Sequence, residues 1–146
     1  MPFSAPRPLT PLADDLVGAR VLVVDDESIW RQILTVDLRE LGYDVVTAED
    51  ADDAARKAAE THPEVAIIDL MLPEPWDGQG LVRRLRREGH DFPFVFFTAF
   101  PVEGAGGTLE DGLLGNVTKA ADRADLYDLL PPALQRRRSA SGAGEV

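Results

Sequence analysis

Short apolar runs alternate along this chain with segments whose apolar residues recur at helical spacing. The runs lie at residues 21–24, 44–48, 65–69, 92–99 and 115–119. A strand that is buried on both faces reads as a continuous apolar run, and parallel strands need helical crossovers between them. The alternation therefore predicts an α/β fold: a doubly wound, five-stranded parallel sheet with helices on both faces.

Helix boundaries follow from capping and stop signals. Ser28 is the predicted N-cap of a first helix, which Gly42 ends, and Asp50 is the predicted N-cap of a second helix, which ends near residues 62–63. A basic helix is predicted over residues 80–89. Asp122 should cap a last helix, broken or restarted at the prolines at 131–132.

Composition suggests three parts. Residues 1–19 contain four prolines, which disfavour helix and sheet, so they are interpreted as a Pro-rich extension. Residues 20–135 form the predicted domain. Residues 136–146 end in small and polar residues and are predicted to be a disordered tail.

The charge balance and composition argue against several classes of function. Lys plus Arg number 15 and Asp plus Glu number 26, a net charge of −11, which argues against a surface that attracts nucleic-acid phosphates. There is no cysteine for thiolate metal sites, no apolar run near the ~20 residues of a membrane span, and no signal-peptide core. A cytoplasmic protein without membrane contact is expected.

Polar residues end four of the predicted strands. Asp25 and Asp26 follow the first strand, and Asp69, Thr98 and Lys119 end the third, fourth and fifth. The carboxyl ends of parallel strands meet at one edge, where ligands bind in such sheets. Since two like charges 4 Å apart repel by about 4 kcal/mol at an effective dielectric near 20, clustered carboxylates call for a cation. Oxygen ligands suit Mg²⁺.

Each of these residues also has an ordinary structural interpretation. Asp26 could equally be a helix N-cap, and a strand-end aspartate such as Asp69 is more often a cap or turn residue. Alone, Thr98 would be a strand residue and Lys119 a solvated charge. The combination at four strand ends is what favours a site.

Several motifs resemble the receiver domains of response regulators in two-component signalling. They are L-V-V-D-D-E-S-I-W-R-Q-I-L, L-R-E-L-G-Y-D-V, V-A-I-I-D-L-M-L-P, D-G-Q-G-L-V-R-R-L-R, F-F-T-A and Lys119, and the resemblance covers roughly residues 20–135. It implies a flavodoxin-like sheet with the strand order 2-1-3-4-5.

The resemblance also implies roles for the site residues. Asp69 would accept a phosphoryl group from a histidine kinase or phosphotransfer protein. Lys119 would pair with Asp69 or its phosphate, and Thr98 would bond a phosphate oxygen and so sense the modified state. The activity would be that of a signalling domain, which catalyses only its own phosphorylation and dephosphorylation.

The implied cofactor is Mg²⁺. Asp26, Asp69 and the backbone carbonyl of Met71 would bind the ion directly, and Asp25 would act through water. Because no helix-turn-helix or second catalytic domain follows residue 135 in this sequence, a single-domain regulator is expected. Its output would pass through protein contacts, and the chain would be a monomer or weak dimer.

The chain departs from the family pattern in three places. Asn116 stands where the family usually has an aromatic residue that couples phosphorylation to the outer face. The usual Lys-Pro is Lys119-Ala120, for which a trans peptide and a slightly shifted Lys119 are expected. Residues 103–113 are rich in glycine, so the fourth helix is predicted to be short, frayed or missing, with an output surface unlike the family's common one.

Four apolar residues near the site have predicted effects. Met71 and Phe100 stand two places after Asp69 and Thr98, where apolar side chains should hinder hydrolysis and give a long-lived phosphorylated state. Trp76 is interpreted as a packing or loop-anchoring residue. Trp30 is either an exposed partner contact beside the site or a core residue.

Two alternatives to a phosphoacceptor are an interaction module and a small enzyme. The departures leave open a non-phosphorylated interaction module on the same fold, although the intact acids, Thr98 and Lys119 oppose it. A small enzyme is less compatible. A haloacid-type phosphatase would need an aspartate at position 71, and a dinucleotide-binding enzyme would need a glycine-rich turn after the first strand.

Overall fold

The computed structural model describes residues 7–99 and 112–143. Five parallel strands form one sheet in the order β2-β1-β3-β4-β5, as predicted. The strands are β1 Arg20–Val24, β2 Asp44–Ala48, β3 Val65–Ile68, β4 Phe94–Thr98 and β5 Leu113–Thr118. The helices are α1 Ser28–Leu41, α2 Ala51–Thr61, α3 Gly78–Arg87, α4 Arg123–Tyr127 and α5 Leu130–Ala143.

Each face of the sheet contributes to its own hydrophobic core. In β1, Val21 and Val23 face a core that includes residues of α1, α4 and α5. Leu22 and Val24 face the other core, which includes residues of α2 and α3. Because both faces are covered, the central strands read as the continuous apolar runs from which the sheet was predicted.

Helix ends follow the predicted signals with two exceptions. Asp50 and Asp122 accept hydrogen bonds from backbone N–H groups in the first turns of α2 and α4, as predicted. Gly42 ends α1 in the left-handed conformation, with φ of 111°. The predicted cap Ser28 is instead the first helical residue, and the N-cap position belongs to Glu27, whose side chain makes no capping bond. The third helix begins at Gly78, earlier than predicted.

Residues 7–19 of the predicted extension pack against the domain. We call residues 7–19 the N-terminal arm. Its Leu12, Leu16 and Ala19 are buried in the core. The Leu12 amide donates to the Leu41 carbonyl at 2.8 Å. The predicted extension is therefore corrected here: the prolines exclude regular secondary structure, but the leucines still gain burial by packing across the end of α1.

The predicted disordered tail is also corrected where it is described. Helix α5 continues through Ala143, past the predicted boundary at residue 135. The Arg138 guanidinium binds both carboxylate oxygens of Glu64, each at 2.9 Å, and this pair ties the extended helix to the start of β3. The predicted weak fourth helix falls almost entirely on residues 100–111, outside the described residues. Over the described ranges, no helix is long and apolar enough to cross a membrane.

Candidate functional site

The acids of the site are brought together by the pairing of β1 and β3. Val24 and Ile68 are register partners at the carboxyl ends of these strands, so Asp25 and Asp69 follow side by side. Asp25 is 2% exposed and Asp69 4% exposed, whereas Asp26 is exposed. Carboxylate oxygens of Asp25, Asp26 and Asp69 all lie within 4.8 Å of one another. The predicted cluster is present.

Lys119 joins the two buried carboxylates. It follows β5, whose last residue Thr118 pairs with Thr98 of β4, and its amide donates to the Thr98 carbonyl at 2.9 Å. Its Nζ lies 2.8 Å from Asp25 Oδ2 and 2.8 Å from Asp69 Oδ2. The Lys119 side chain is only 7% exposed. The ammonium therefore bridges the ends of β1 and β3.

One ammonium does not balance three carboxylates. Burial raises the pKa of Asp25, and the hydrogen bonds from Lys119 and from the Glu27 amide offset this only in part. Burial alone would lower the pKa of Lys119, but its hydrogen bonds to Asp25 and Asp69 outweigh burial and raise that pKa. The donor set is oxygen-only and carries excess negative charge, which fits a hard divalent cation such as Mg²⁺.

The Thr98 hydroxyl has no hydrogen-bond partner among the described residues. Thr98 is fully buried at the end of β4. A buried hydroxyl left unsatisfied costs about 1–3 kcal/mol. The hydroxyl can therefore donate to a ligand oxygen bound at this edge of the sheet.

Backbone contacts fix one oxygen of each buried acid. Asp25 Oδ1 accepts from the Glu27 amide at 2.9 Å, and Asp69 Oδ1 accepts from the Met71 amide at 3.0 Å. The Arg31 guanidinium donates to the Asp25 carbonyl at 2.7 Å. The two carboxylate oxygens of Asp69 thus have different partners: Oδ1 makes the turn contact and Oδ2 lies beside Lys119, while the site role of Asp69 stays a prediction. Metal ligation by the Met71 carbonyl stays a prediction.

Gly78 is a supporting residue that sequence analysis missed. A Cβ at this position would lie 2.5 Å from the Asp69 carbonyl oxygen and 2.9 Å from Leu70 Cα. The Gly78 amide donates to the Leu70 carbonyl at 3.0 Å. Only glycine lets the start of α3 approach the Asp69 backbone this closely. The signal in the sequence was the D-G pair that opens α3, with Asp77 as its N-cap.

The two tryptophans lie on different sides of the site. Trp30 is partly buried in the α1 core, and its ring centroid lies 5.3 Å from Lys119 Nζ. It therefore packs against the core, as one of the two interpretations predicted, and lies beside the site; a partner contact by Trp30 stays a prediction. Trp76 packs against the other core, as predicted, with Arg84 5.9 Å and Arg87 6.0 Å from its ring centroid.

The departures from the family pattern can be placed in part. Asn116 is exposed on β5, so no aromatic ring occupies this position. The Lys119–Ala120 peptide is trans, as expected, and Lys119 still reaches both carboxylates. Met71 is 60% exposed. Phe100 lies outside the described residues, so its predicted effect on hydrolysis stays a prediction.

Comparison with known proteins agrees with this geometry. The family model described as response regulator receiver domain matches residues 21–131. A probable transcriptional regulator ycf27 of Porphyridium aerugineum is 40% identical over 80 residues, which are 55% of this chain and 32% of that protein. The regulatory protein PhoP of Bacillus subtilis is 39% identical over 83 residues, 57% of this chain and 34% of that protein. The chain thus spans about a third of the length of these curated relatives.

Solved structures share the same architecture. A CheY-like receiver domain protein from Methanospirillum hungatei has a TM-score of 0.75 at 21% identity, covering 84% of this chain and 98% of that one. TrrA of Thermotoga maritima, solved in complex with Mg²⁺-BeF, has a TM-score of 0.68 at 25% identity, covering 79% of this chain and 98% of that one. With its sheet order and its acid cluster, this chain belongs to the response regulator receiver domain family.

Proposed function

We propose that this chain is a Mg²⁺-dependent phosphoacceptor, in which Asp69 receives a phosphoryl group from a phosphohistidine of a kinase or phosphotransfer protein. One observation carries the proposal: the Lys119 ammonium lies 2.8 Å from Asp69 within a cluster of three carboxylates. A surface cluster of acids has no need of a buried lysine, whereas a site that receives more negative charge does.

The proposed transfer uses a carboxylate oxygen of Asp69 as the nucleophile. The oxygen attacks the donor phosphorus, the P–N bond breaks, and its electron pair goes to the imidazole nitrogen, which takes a proton from solvent. Asp69 Oδ1 is held by the Met71 amide and Oδ2 lies beside Lys119, so the carboxylate is already oriented. Lys119 can then offset charge on the phosphoryl oxygens.

The proposed metal ligands are Asp26, Asp69 and the Met71 carbonyl, with Asp25 acting through water. Bound Mg²⁺ neutralises negative charge on the transferring group. Exposed Asp26 lies at the open side of the cluster, where an ion can enter, while Lys119 holds Asp25 and Asp69 from the buried side.

The Thr98 hydroxyl is the proposed sensor of the modified state. Its buried Oγ1 has no partner in the part of the chain that the structure describes, and a phosphoryl oxygen on Asp69 can accept its hydrogen bond. The modification adds about −1.5 to −2 charge if an acyl phosphate behaves like the phosphate esters. We propose that the added charge changes the protein surface and that protein partners in the cytoplasm bind this changed surface. The route to the surface does not use an aromatic residue at position 116.

Intact mass after incubation with acetyl phosphate and Mg²⁺ tests the proposal. The wild type should gain one phosphoryl group and Asp69→Asn none. Asp91→Asn, which removes an aspartate before β4 with an 83% exposed side chain, is the matched control and should gain one group. A gain that persists in Asp69→Asn would place the acceptor elsewhere and reject Asp69.

The second candidate is an interaction module that is never phosphorylated. The observation in its favour is Asn116, exposed at the position of the usual switch aromatic. No mass gain by the wild type, at Mg²⁺ concentrations that raise its thermal stability, would favour this module over the phosphoacceptor.

A further inference from the structure

The Lys119 ammonium has a third neighbour besides the two carboxylates. Its Nζ lies 5.3 Å from the centroid of the Trp30 ring, on the side of α1. An ammonium this close to an aromatic ring is attracted to its face. Since the Lys119 side chain is only 7% exposed, Trp30 also helps to shield it from water.

Trp30 is itself fixed in place. It lies in the first turn of α1, and its ring meets that of Phe97 edge to face, with centroids 5.3 Å apart and an interplanar angle of 87°. Phe97 is fully buried in β4, directly before Thr98. The indole is therefore anchored to the sheet and can act as a rigid wall for a flexible neighbour.

A rigid neighbour can restrict the conformation of the Lys119 side chain, which is long and flexible. A lysine side chain has four carbon–carbon links, and its ammonium is a compact charge with no fixed direction. The residue follows β5 in a turn, and the next residue is alanine, which adds no ring of its own to restrict the backbone. Two carboxylates attract the ammonium, but Asp26 offers a third anion close by.

We propose that Trp30 is a positioning residue, which holds the Lys119 ammonium between Asp25 and Asp69 and so keeps it aimed at the phosphoacceptor oxygen. The claim that Trp30 positions Lys119 depends only on the geometry described above. The claim that Trp30 thereby affects the rate of phosphorylation rests on the proposed function.

Two variants separate the ring from its bulk. Trp30→Phe keeps an aromatic face, and Trp30→Met keeps an apolar chain without one. Trp76→Met is the matched control, because it removes a tryptophan that faces Arg84 and Arg87 instead of Lys119. Two properties are measured in each protein: the NMR shifts of the Lys119 ε-methylene protons, and the rate of phosphoryl gain from acetyl phosphate with Mg²⁺.

In the wild type, the ring current of Trp30 should move the Lys119 ε-protons upfield of their random-coil position. Trp30→Phe should retain part of this shift and phosphorylate within about two-fold of the wild-type rate, and Trp76→Met should match the wild type in both. Trp30→Met should lose the shift and react about five-fold more slowly, which corresponds to a cation–π contact of ordinary strength. Its Mg²⁺ affinity should stay unchanged, since the acids are intact.

Three results would overturn the inference: unshifted ε-protons in the wild type, a Trp30→Met protein with the wild-type rate, or a loss of Mg²⁺ affinity equal to the loss of rate. If Trp30→Met does not fold, Trp30→Leu takes its place with the same expected outcome. If the wild type takes up no phosphoryl group, the proposed function fails, and the ε-proton shifts alone decide whether Trp30 positions Lys119.

Discussion

The two edges of the central sheet are built in opposite ways. At the carboxyl-end edge, Asp25, Asp26 and Asp69 share one ammonium, that of Lys119. At the amino-end edge, acids are matched one to one with arginines, and the pairs are Arg20–Asp44, Arg138–Glu64 and Arg137–Asp91. Both edges belong to the same five strands.

Unfavourable electrostatics are concentrated at the carboxyl-end edge. At the amino-end edge, charge is neutralised within the protein and serves only to hold elements together. At the carboxyl-end edge, the carboxylates outnumber the ammonium that pairs with them, and a bound cation can correct this imbalance. Substitutions at the two edges should therefore respond differently to Mg²⁺ and to pH.

The largest effect is expected for Lys119→Met, which leaves two buried carboxylates facing each other. We expect a loss of stability on the order of 3 kcal/mol, the usual cost of removing one partner of a buried ion pair. Mg²⁺ should restore much of this loss, because it replaces the missing positive charge. Urea denaturation with and without MgCl₂ measures both effects.

Lys57→Met is the control for Lys119→Met. Lys57 is also paired, with Asp53 at 3.2 Å, and it donates to the Thr47 carbonyl, but its side chain is 30% exposed. Its loss should cost about 1 kcal/mol and should not respond to Mg²⁺. Equal losses for the two lysines would remove the contrast between the site and an ordinary ion pair.

A smaller, pH-dependent effect is expected for Glu64→Gln at the amino-end edge. Hydrogen bonds from Arg138 lower the pKa of Glu64 below its usual value of 4.5 in the folded state. The pair therefore stabilises the fold above that value, and this contribution is lost as the pH falls through the folded pKa. Glu64→Gln should be about 1 kcal/mol less stable than the wild type at neutral pH, and this difference should shrink as the pH falls below 4.5.

Denaturation of the wild type and Glu64→Gln from neutral to acidic pH checks this sign, with Glu60→Gln, an exposed change on α2, as the control. A constant difference at all pH values would show that Glu64 acts by packing and not by charge. Mg²⁺ should leave the Glu64→Gln difference unchanged.

The smallest effect is expected for Asp26→Asn. In buffer without divalent ions, removing one of three clustered carboxylates should raise stability by about 0.5 kcal/mol. In Mg²⁺ the wild type should be the more stable of the two proteins, because the variant loses a proposed ligand. Thermal melts in EDTA and in MgCl₂ compare the two proteins, and a variant that is less stable than the wild type in EDTA would contradict the charge imbalance.

Sequence analysis succeeded where local chemistry and topology decide the outcome. The acids after Val24 and Ile68 could be placed together because parallel strands end at one edge, whatever the details of packing. Asp50 and Asp122 were recognised as caps because their short side chains reach backbone amides two or three residues ahead. These features depend on a few neighbouring residues and on strand order.

The predictions that the structure contradicts depend on contacts between distant parts of the chain. The prolines of the N-terminal arm outweighed Leu12 and Leu16 in the prediction, yet burial of those leucines depends on the distant end of α1. The C-terminal residues lacked an amphipathic pattern, and Arg138 found its partner Glu64 in another part of the chain. The close approach that requires Gly78 is likewise visible only once α3 is placed against the Asp69 backbone.

The N-terminal arm bears on how this protein can be trimmed for study. A version cut to the family-matched region would begin at Val21 and would uncover Leu41 and Tyr43, which the arm now helps to keep from water. Newly bared hydrophobic surface promotes self-association. Purified domains that start at Val21 should therefore self-associate more than the longer chain. The oligomeric state is best measured with the N-terminal arm in place.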